Sequence, residues 1–581
     1  MKRYQQILTC AFLLPLLAGC VDDKYDLSDI DTTVKVNVDN LTIPVNIDEI
    51  TLGNIIKPNE NQIELIDGQY AIVYDGSFVS QGVKIDAISL QAPTITPSET
   101  TINLISSGTL HAQESEYTYQ LTGQPSDFQY SSSSTISDFI LSINRIGLHL
   151  QLDINISMRG LENLISRITF KDVVLQLPKG LNLTDSEGGS YNPANGELTL
   201  PSSITVQGTT MSLSIIADAL DFQQAGGTFD AISHQLTLPG SMYIKSGYGV
   251  ISSDDITAGN TTLPQQITLH TGYTLHDTKI TSFSGTINRY NIDGANLSDI
   301  DLSDLPDILS QQSTDITLAN PMIYLQISNP LQPYGNLYAE TALKIEASRN
   351  NTPATSRTSD IFSIGRPASN NGIYNLCLSP ATPIADTEFP DAKHVTFASL
   401  GSILSGNGIP KALSVSLDNP NLPANQTVTD FPLTGPANEI GSFNGKYKFV
   451  APLQFSQGST ITYNDKIDGW YSEDMDHLTI TDLEISLIVS TDIPVGVEFE
   501  GHPINTAGQP INNVQIVGAN LQPNADRQQI TIRITGEITA LDGVSFVAKA
   551  HATGGETLTP DMSITLTDIR PSVSGYYEKE L

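Results

Sequence analysis

The sequence predicts a mainly β protein, with a multi-domain β-sandwich or curved-sheet architecture and a few short helices. Apolar and polar residues alternate along most of the chain, which is the period of half-buried strands. Gly and Pro, at 43 and 32 of 581 residues, interrupt this alternation at short intervals, as they do in all-β folds. Segments with a helical period are few and short.

The clearest strand is predicted over Ile146 to Met158. Every second residue in this segment is apolar, so the strand buries one face and leaves the other to solvent. Between Ile480 and Leu483 the apolar residues change phase. This change predicts a β-bulge near Thr481 or Asp482, because one extra residue moves the following side chains to the opposite face.

Three short helical segments are predicted between the strands. Residues 396–404 place apolar side chains on one helical face, and Gly406 follows as a stop signal. Residues 303–310 have Ser303 as a cap and a proline in the first turn. Residues 160–165 form at most one turn. None of these segments is long enough to build a helical bundle.

Composition shifts divide the mature chain into four predicted parts. Residues 20–45 are an acidic tether that leads into a first strand, and 46–285 form a β domain. Residues 284–306 are rich in Asp, Asn and Ser, and this shift marks the start of a middle β segment with short helices, 286–430. Residues 431–581 form a C-terminal β domain.

The charge excludes one class of partner. Acidic residues outnumber basic ones by 63 to 28, which gives a formal net charge of −35. Phosphate backbones need clustered Lys and Arg, so we expect no nucleic-acid partner. After the amino terminus no apolar run reaches 18 residues, so we expect no further segment to cross a membrane as a helix.

The amino terminus carries a targeting signal. A cationic start, Met1-Lys2-Arg3, precedes an apolar run over Ile7 to Leu17 and then Ala18-Gly19-Cys20. The apolar run has the length of a secretory signal peptide. The segment Leu17-Ala18-Gly19-Cys20 resembles the lipobox of bacterial lipoproteins. That resemblance implies cleavage after residue 19 and a diacylglycerol anchor, with fatty acids such as palmitate, on Cys20.

The residues after Cys20 specify the predicted location further. Asp22, Asp23 and Lys24 resemble the surface-export signal of Bacteroidota lipoproteins, and residues 25–31 resemble the start of many secreted proteins of that group. The resemblance implies a lipid-anchored protein of the outer membrane that faces the cell exterior. The outer membrane is then its first partner.

Cysteine usage agrees with this prediction. Once Cys20 is acylated, Cys377 has no partner, so we expect neither a disulfide framework nor a Cys-based zinc site. Cys377 lies between Leu376 and Leu378, and we expect it to be a small buried apolar residue.

A weak candidate metal site lies in the densest acidic cluster, at Asp293, Asp299 and Asp301. Hard cations such as Ca²⁺ prefer carboxylate and carbonyl oxygens. Arg289 occupies the position of the first acidic ligand of a calcium loop, however, and Ile300 replaces its closing Glu. We therefore favour solvated turns, and no cofactor is expected.

A second candidate site surrounds the single tryptophan. Trp470 and Tyr471 can stack on a sugar ring while Glu473 accepts hydrogen bonds from its hydroxyls. The alternative, which we favour, is that Trp470 and Tyr471 flank a hairpin and one of them enters the core.

No catalytic motif stands out: the chain contains no Gly-x-Ser-x-Gly, no phosphate-binding loop and no His-Glu-x-x-His. We expect a non-enzymatic envelope lipoprotein that binds a glycan, an extracellular protein or a partner in an outer-membrane complex. One alternative is a carrier of a lipid or other apolar ligand in a curved-sheet cavity. Another is a surface-fibre subunit that lends a strand, such as residues 31–45, to another copy.

Overall fold

The computed structural model confirms the mainly β class, with 63 % strand and 3 % helix. In the part of the chain that the structure describes, no helix is long and apolar enough to cross a membrane. The described residues are 33–42, 49–57, 62–107, 116–257, 263–293, 297–305, 309, 314–349, 352–365, 372–406, 408–433, 440–469, 471, 477–512, 514–517, 520–555 and 557–580.

The described strands are numbered in chain order. The strands of the first half of the chain are β1 Thr33–Thr42, β2 Ile50–Thr51, β3 Ile63–Ile66, β4 Gln69–Val83, β5 Ile88–Gln91, β6 Ser98–Ser107, β7 Glu116–Gln120, β8 Ser126–Ser132, β9 Ile140–Arg159, β10 Arg167–Gln176, β11 Leu181–Asp185, β12 Ser190–Asn192, β13 Glu197–Thr199, β14 Ser203–Gln207, β15 Thr210–Asp221, β16 Thr228–Asp230, β17 Gln235–Ser252, β18 Gln266–Leu275, β19 Thr278–Ile287 and β20 Tyr290–Asn291. Those of the second half are β21 Ile300–Asp301, β22 Met322–Ser328, β23 Ala339–Arg349, β24 Thr352–Thr358, β25 Phe362–Ile364, β26 Ile373–Ser379, β27 Lys393–Thr396, β28 Ala412–Leu422, β29 Thr427–Pro432, β30 Ile440–Pro452, β31 Thr460–Ile467, β32 Leu478–Thr491, β33 Val495–Asn505, β34 Gln515–Val517, β35 Asn520–Leu521, β36 Gln528–Ile538, β37 Leu541–Ala552 and β38 Ser563–Glu580.

Helices are as short as the sequence predicts. They are α1 Leu52–Ile55 and α2 Leu400–Leu404, together with the 3₁₀ turns Ser253–Asp255 and Gln332–Tyr334. The helix predicted over residues 396–404 forms only over Leu400–Leu404. Thr396, the first residue of the prediction, is the last residue of β27. The segment 160–165 forms turns. Within 303–310, residues 306–308 and 310 lie outside the described residues, so that helix stays a prediction.

The chain forms two compact units. The first comprises the described residues of Met1–Thr51, Thr462–His551 and Met562–Leu581. Its larger sheet has the order β1-β38-β32-β36-β34, with β2 on β38, and a second sheet has the order β31-β37-β33-β35. The bulge predicted near Thr481 or Asp482 is confirmed, since the register of β32 shifts between Ile480 and Asp482 against both of its neighbours.

The second unit comprises the described residues of Leu52–Ile461 and Ala552–Asp561. It contains a sheet of 16 strands and two sheets of six, ordered β20-β28-β23-β24 and β27-β26-β22-β30-β4-β3 along their main paths. The strand predicted over 146–158 is confirmed as part of β9, and every apolar residue in its alternating series is buried. That series forms one wall of the core of the 16-stranded sheet.

Ladders between distant segments hold the second unit together. β29 pairs with β19, and β30 pairs with β4 along most of its length. These ladders cross the segment limits predicted at 285/286 and 430/431. The alternation pattern predicts where a strand lies but not which strand it pairs with, so it did not predict these ladders. The independent folding of the three predicted segments stays a prediction.

The buried face of β9 allows a test of stability. Leu150→Ala removes a buried side chain and leaves a cavity, so we expect the free energy of unfolding to fall by about 2–5 kcal/mol. His149→Ala, at the exposed neighbouring position, is the matched control and is expected to change it by about 0.5 kcal/mol or less. Urea unfolding followed by circular dichroism measures both. Equal losses in the two variants would contradict the predicted burial pattern.

Candidate functional site

A polar pocket of about 440 Å³ lies in the second unit, where three connecting segments meet. They are the segment between the 3₁₀ turn Gln332–Tyr334 and β23, the residue after β25, and the turn between β28 and β29. None of the described residues that line the pocket is charged. They are Gly335, Asn336, Tyr338, Gly365, Ala424, Asn425, Gln426 and Thr427.

Aromatic packing holds two of these segments in place. The ring of Tyr334 lies 5.6 Å from that of Phe431, which is part of β29. Phe431 in turn contacts Phe139 at 5.1 Å and Phe283 at 5.9 Å between ring centroids. Tilted and edge-on ring pairs of this kind add stability beyond the area they bury. The cluster therefore fixes the 3₁₀ turn against β29 and β19.

A glycine allows the two main walls to approach each other. Gly335 ends the 3₁₀ turn with a φ of 109°, in the left-handed region. A Cβ atom at this position would lie 2.5 Å from the carbonyl oxygen of Thr427 on the opposite wall. Any side chain would force the walls apart, so the close approach requires glycine.

Gln426 ties the walls together through a two-point contact. Its Oε1 accepts a hydrogen bond from the Tyr338 backbone N–H, and its Nε2 donates one to the Tyr338 carbonyl oxygen, each at 2.9 Å. The backbone of the same turn continues the β19 ladder, since the Asn425 N–H donates to the Ile287 carbonyl at 2.7 Å. Gln426 Nε2 also donates to the Pro423 carbonyl oxygen at 3.2 Å, so Gln426 positions the pocket walls and keeps no free donor hydrogen for a ligand.

Two asparagines supply the free polar groups of the pocket. Asn336 and Asn425 are exposed and have φ values of 55° and 66°, which Asn tolerates better than most residues. In the part of the chain that the structure describes, neither side-chain amide has a hydrogen-bond partner. Each amide offers two donor hydrogens and an acceptor oxygen, and the half-buried Tyr338 also lines the pocket. This combination suits a neutral ligand that carries hydroxyl or amide groups.

The polar face of β9 carries a denser network, but its groups satisfy one another. Asp153 accepts hydrogen bonds from His276 Nε2 at 2.7 Å, Ser214 Oγ at 2.7 Å and Gln151 Nε2 at 3.1 Å. The bond from His276 is the main reason why the pKa of Asp153 is lowered. With its carboxylate engaged in this way, Asp153 is better placed to join β9, β15 and the β18 end than to act as a free acid or base.

A third polar group lies in the crossover between β26 and β27. Asp386 in this segment pairs with Lys448 of β30 at 3.1 Å, and the two side chains are only 12 % and 15 % exposed. Burial lowers the pKa of Lys448, but the hydrogen bond and charge of Asp386 outweigh this and raise it. The same segment packs on an apolar cluster that includes Tyr324 and Cys377.

Cys377 confirms the predicted buried position. It is a free, fully buried cysteine in this cluster. Burial raises the pKa of its thiol to about 12. Burial therefore disfavours the reactive thiolate at neutral pH, as expected for a structural cysteine.

The structure does not gather the three candidate metal ligands into a site. Asp293, Asp299 and Asp301 are all exposed, and the Asp301 carboxylate accepts a hydrogen bond from the Ser303 backbone N–H at 2.9 Å. Among the described residues, no group of three or more His, Cys, Asp or Glu side chains is arranged to hold a metal ion.

The other candidate residues fall mostly outside the described part of the chain. This holds for Cys20, for the export residues Asp22, Asp23 and Lys24, and for Trp470 and Glu473. Tyr471 is described and half-buried, and its backbone N–H donates to the Asp542 carboxylate at 3.1 Å. The proposed sugar-stacking role of these residues stays a prediction.

Sequence reasoning missed the pocket itself. Its segments carry ordinary turn signals, Pro333-Tyr334-Gly335-Asn336 and Pro423-Ala424-Asn425-Gln426. Such signals mark where the chain turns, but they do not show that two turns separated by some 90 residues face each other. Each of these two turns contains an Asn and no Asp, and this was the one weak signal for an uncharged site.

Comparisons with known proteins add little. No protein-family model matches the chain, and no curated protein matches it. Among solved structures it is similar to that of a "putative secreted protein" from Parabacteroides distasonis, at 18 % identity and a TM-score of 0.33, over 50 % of this chain and 83 % of that one. A similarity at this level carries no conclusion about the site.

The network around Asp153 generates a pH prediction. Because the pKa of Asp153 is lower in the folded state, its stabilising effect is complete above the unfolded-state pKa of about 4 and is lost as the pH falls through the folded value. Asp153→Asn should therefore lower the free energy of unfolding by about 0.5–1 kcal/mol at pH 7, since the carboxylate is partly exposed. The difference from wild type should shrink as the pH falls below about 4.

Urea unfolding at pH 7, 5 and 3 measures this difference. Asp127→Asn, at an exposed position on β8, is the matched control and should have no effect at any of these pH values. A loss at Asp153 that persists unchanged at pH 3 would show that its charge is not the cause.

Proposed function

We propose that this protein is a non-enzymatic lipoprotein of the outer membrane, anchored through Cys20 and facing the cell exterior. The lipobox-like Leu17-Ala18-Gly19-Cys20 and the acidic residues after it support this proposal. The surplus of acidic residues supports it too, because such a surface stays soluble and does not collapse onto anionic lipids. Acyl chains on Cys20 contribute about 0.8 kcal/mol per buried CH₂ group.

We infer further that the neutral pocket in the second unit is a glycan-binding site. The observation that carries this inference is the pair of side-chain amides of Asn336 and Asn425 in the lining of a pocket that also contains Tyr338. Sugar hydroxyls both donate and accept hydrogen bonds, and amides complement both roles. The uncharged lining favours neutral sugars, since an acidic sugar would find no cation there.

The carrier alternative has less support. It needs apolar space along the dry face of β9, whereas the alternating apolar side chains of that strand are packed to 4 % exposure or less. A binding or structural role without catalysis also agrees with the internal pairing of Asp153, Asp386 and Lys448.

The anchor is tested by Cys20→Ser. We expect this variant to leave the membrane fraction and to appear in the soluble fraction of an expressing Bacteroidota cell, because the acyl chains can no longer be attached. Cys377→Ser, which removes a buried thiol, is the matched control and should remain with membranes. Protease treatment of intact cells then tests the outward orientation. A Cys20→Ser protein that still sediments with membranes would contradict the proposed anchor.

The pocket is tested on a panel of neutral and acidic polysaccharides. We expect the purified protein to retain a neutral glycan, and the double variant Asn336→Gly/Asn425→Gly to bind it about tenfold or more weakly, because hydrogen bonds of about 1 kcal/mol each are lost. Glycine keeps the left-handed backbone. Asn163→Gly, at another exposed Asn with a positive φ, is the control. Unchanged affinity in the double variant would overturn this assignment.

A further inference from the structure

The first strand lies at the edge of its sheet. β1 pairs with β38 in antiparallel register, from Thr33 opposite Glu580 to Thr42 opposite Ser572, with an irregularity after Val38. Among the described strands β38 is its only neighbour. β38 itself is held on its other side by a longer ladder with β32. β38 can therefore keep its place in the sheet when β1 leaves.

The described side chains of β1, at residues 34–37 and 39, are all exposed. Val34 and Val36 are 42 % and 40 % exposed, and the intervening Lys35 is exposed too. Lys35 makes an ion pair with Glu578 at 3.4 Å and lies over the ring of Tyr576 at 3.4 Å. Ion pairs at such exposed positions add little stability. Over residues 34–37, backbone hydrogen bonds therefore supply most of the attachment to β38.

A strand held by its backbone can be replaced by the same strand from another molecule. When β1 leaves, two rows of unpaired N–H and C=O groups are exposed, and such edges pair readily with other strands. A second copy of this chain offers an identical β1, which restores the same register, the Lys35–Glu578 pair and the Tyr576 contact. The exchanged and unexchanged states then differ mainly in the entropy of association.

We propose that β1 of one copy pairs with β38 of a neighbouring copy, so that strand exchange links molecules on the membrane. The chain between β1 and β2 sets the reach of this exchange, because β2 stays paired with β38 of its own copy. Residues 43–49 join the two strands, and seven residues reach at most about 25 Å when extended, so the exchange joins copies that lie side by side. If the anchor at Cys20 is correct, copies in one membrane share a high local concentration, which favours exchange over separation.

The experiment uses two tagged copies of the full chain that are expressed together. One copy carries Lys35→Cys and the other carries Glu578→Cys, at positions that are direct partners in the β1–β38 register. Under a mild oxidant we expect a disulfide-linked heterodimer that contains both tags, because the two thiols meet only when β1 has crossed to the other copy. The heterodimer should disappear on reduction.

Two further pairs control for chance contact and for geometry. Lys35→Cys in one copy and Ser572→Cys in the other place the two thiols out of register, and this pair should give little heterodimer. A single copy with both Lys35→Cys and Glu578→Cys reports the pairing within one molecule.

A complete internal disulfide in that copy, together with no heterodimer in the mixed experiment, would overturn strand exchange. Failure of both pairs would overturn the β1–β38 register on which it rests. Repeating the mixed pair with Cys20→Ser in both copies separates the result from the anchor.

Discussion

Backbone pairing between segments that are far apart in the sequence is the interaction on which both units depend. An extended segment presents two rows of N–H and C=O groups, and each buried row must find a partner. β4 finds it in β30, and β1 finds it in β38 near the opposite end of the chain. Apolar side chains can bury one face of a sheet only after such ladders have set the register, so packing and pairing stabilise each other.

The charged and the neutral polar groups serve different purposes. Asp153 and Asp386 are engaged in hydrogen bonds and ion pairs that join neighbouring elements. In the pocket, the available groups are the amides of Asn336 and Asn425, while Gln426 holds the walls together. An amide loses less on desolvation than a carboxylate does. The amide lining is therefore the feature on which the proposed binding of an uncharged, hydroxyl-rich ligand rests, in a chain with a net charge of −35.

The amino-terminal part of the chain combines two roles in this proposal. Cys20 is the proposed point of attachment, and β1 begins at Thr33, only a short connection later. A force on the proposed membrane anchor would reach the protein body first through β1. A strand that can change partners at this position links the mechanical attachment of one molecule to its contact with the next.

The sequence by itself determined where most strands lie and which face of each strand is buried. The alternation over 146–158, the phase change at Ile480 to Asp482 and the buried place of Cys377 are all local properties, because side-chain direction along a strand repeats every two residues. Only the tertiary structure decided which strands pair and which turns meet at Gly335 and Asn425. It also leaves Asp293, Asp299 and Asp301 exposed and outside any metal-binding group among the described residues. These features depend on contacts between distant residues, and a local period carries no information about distant partners.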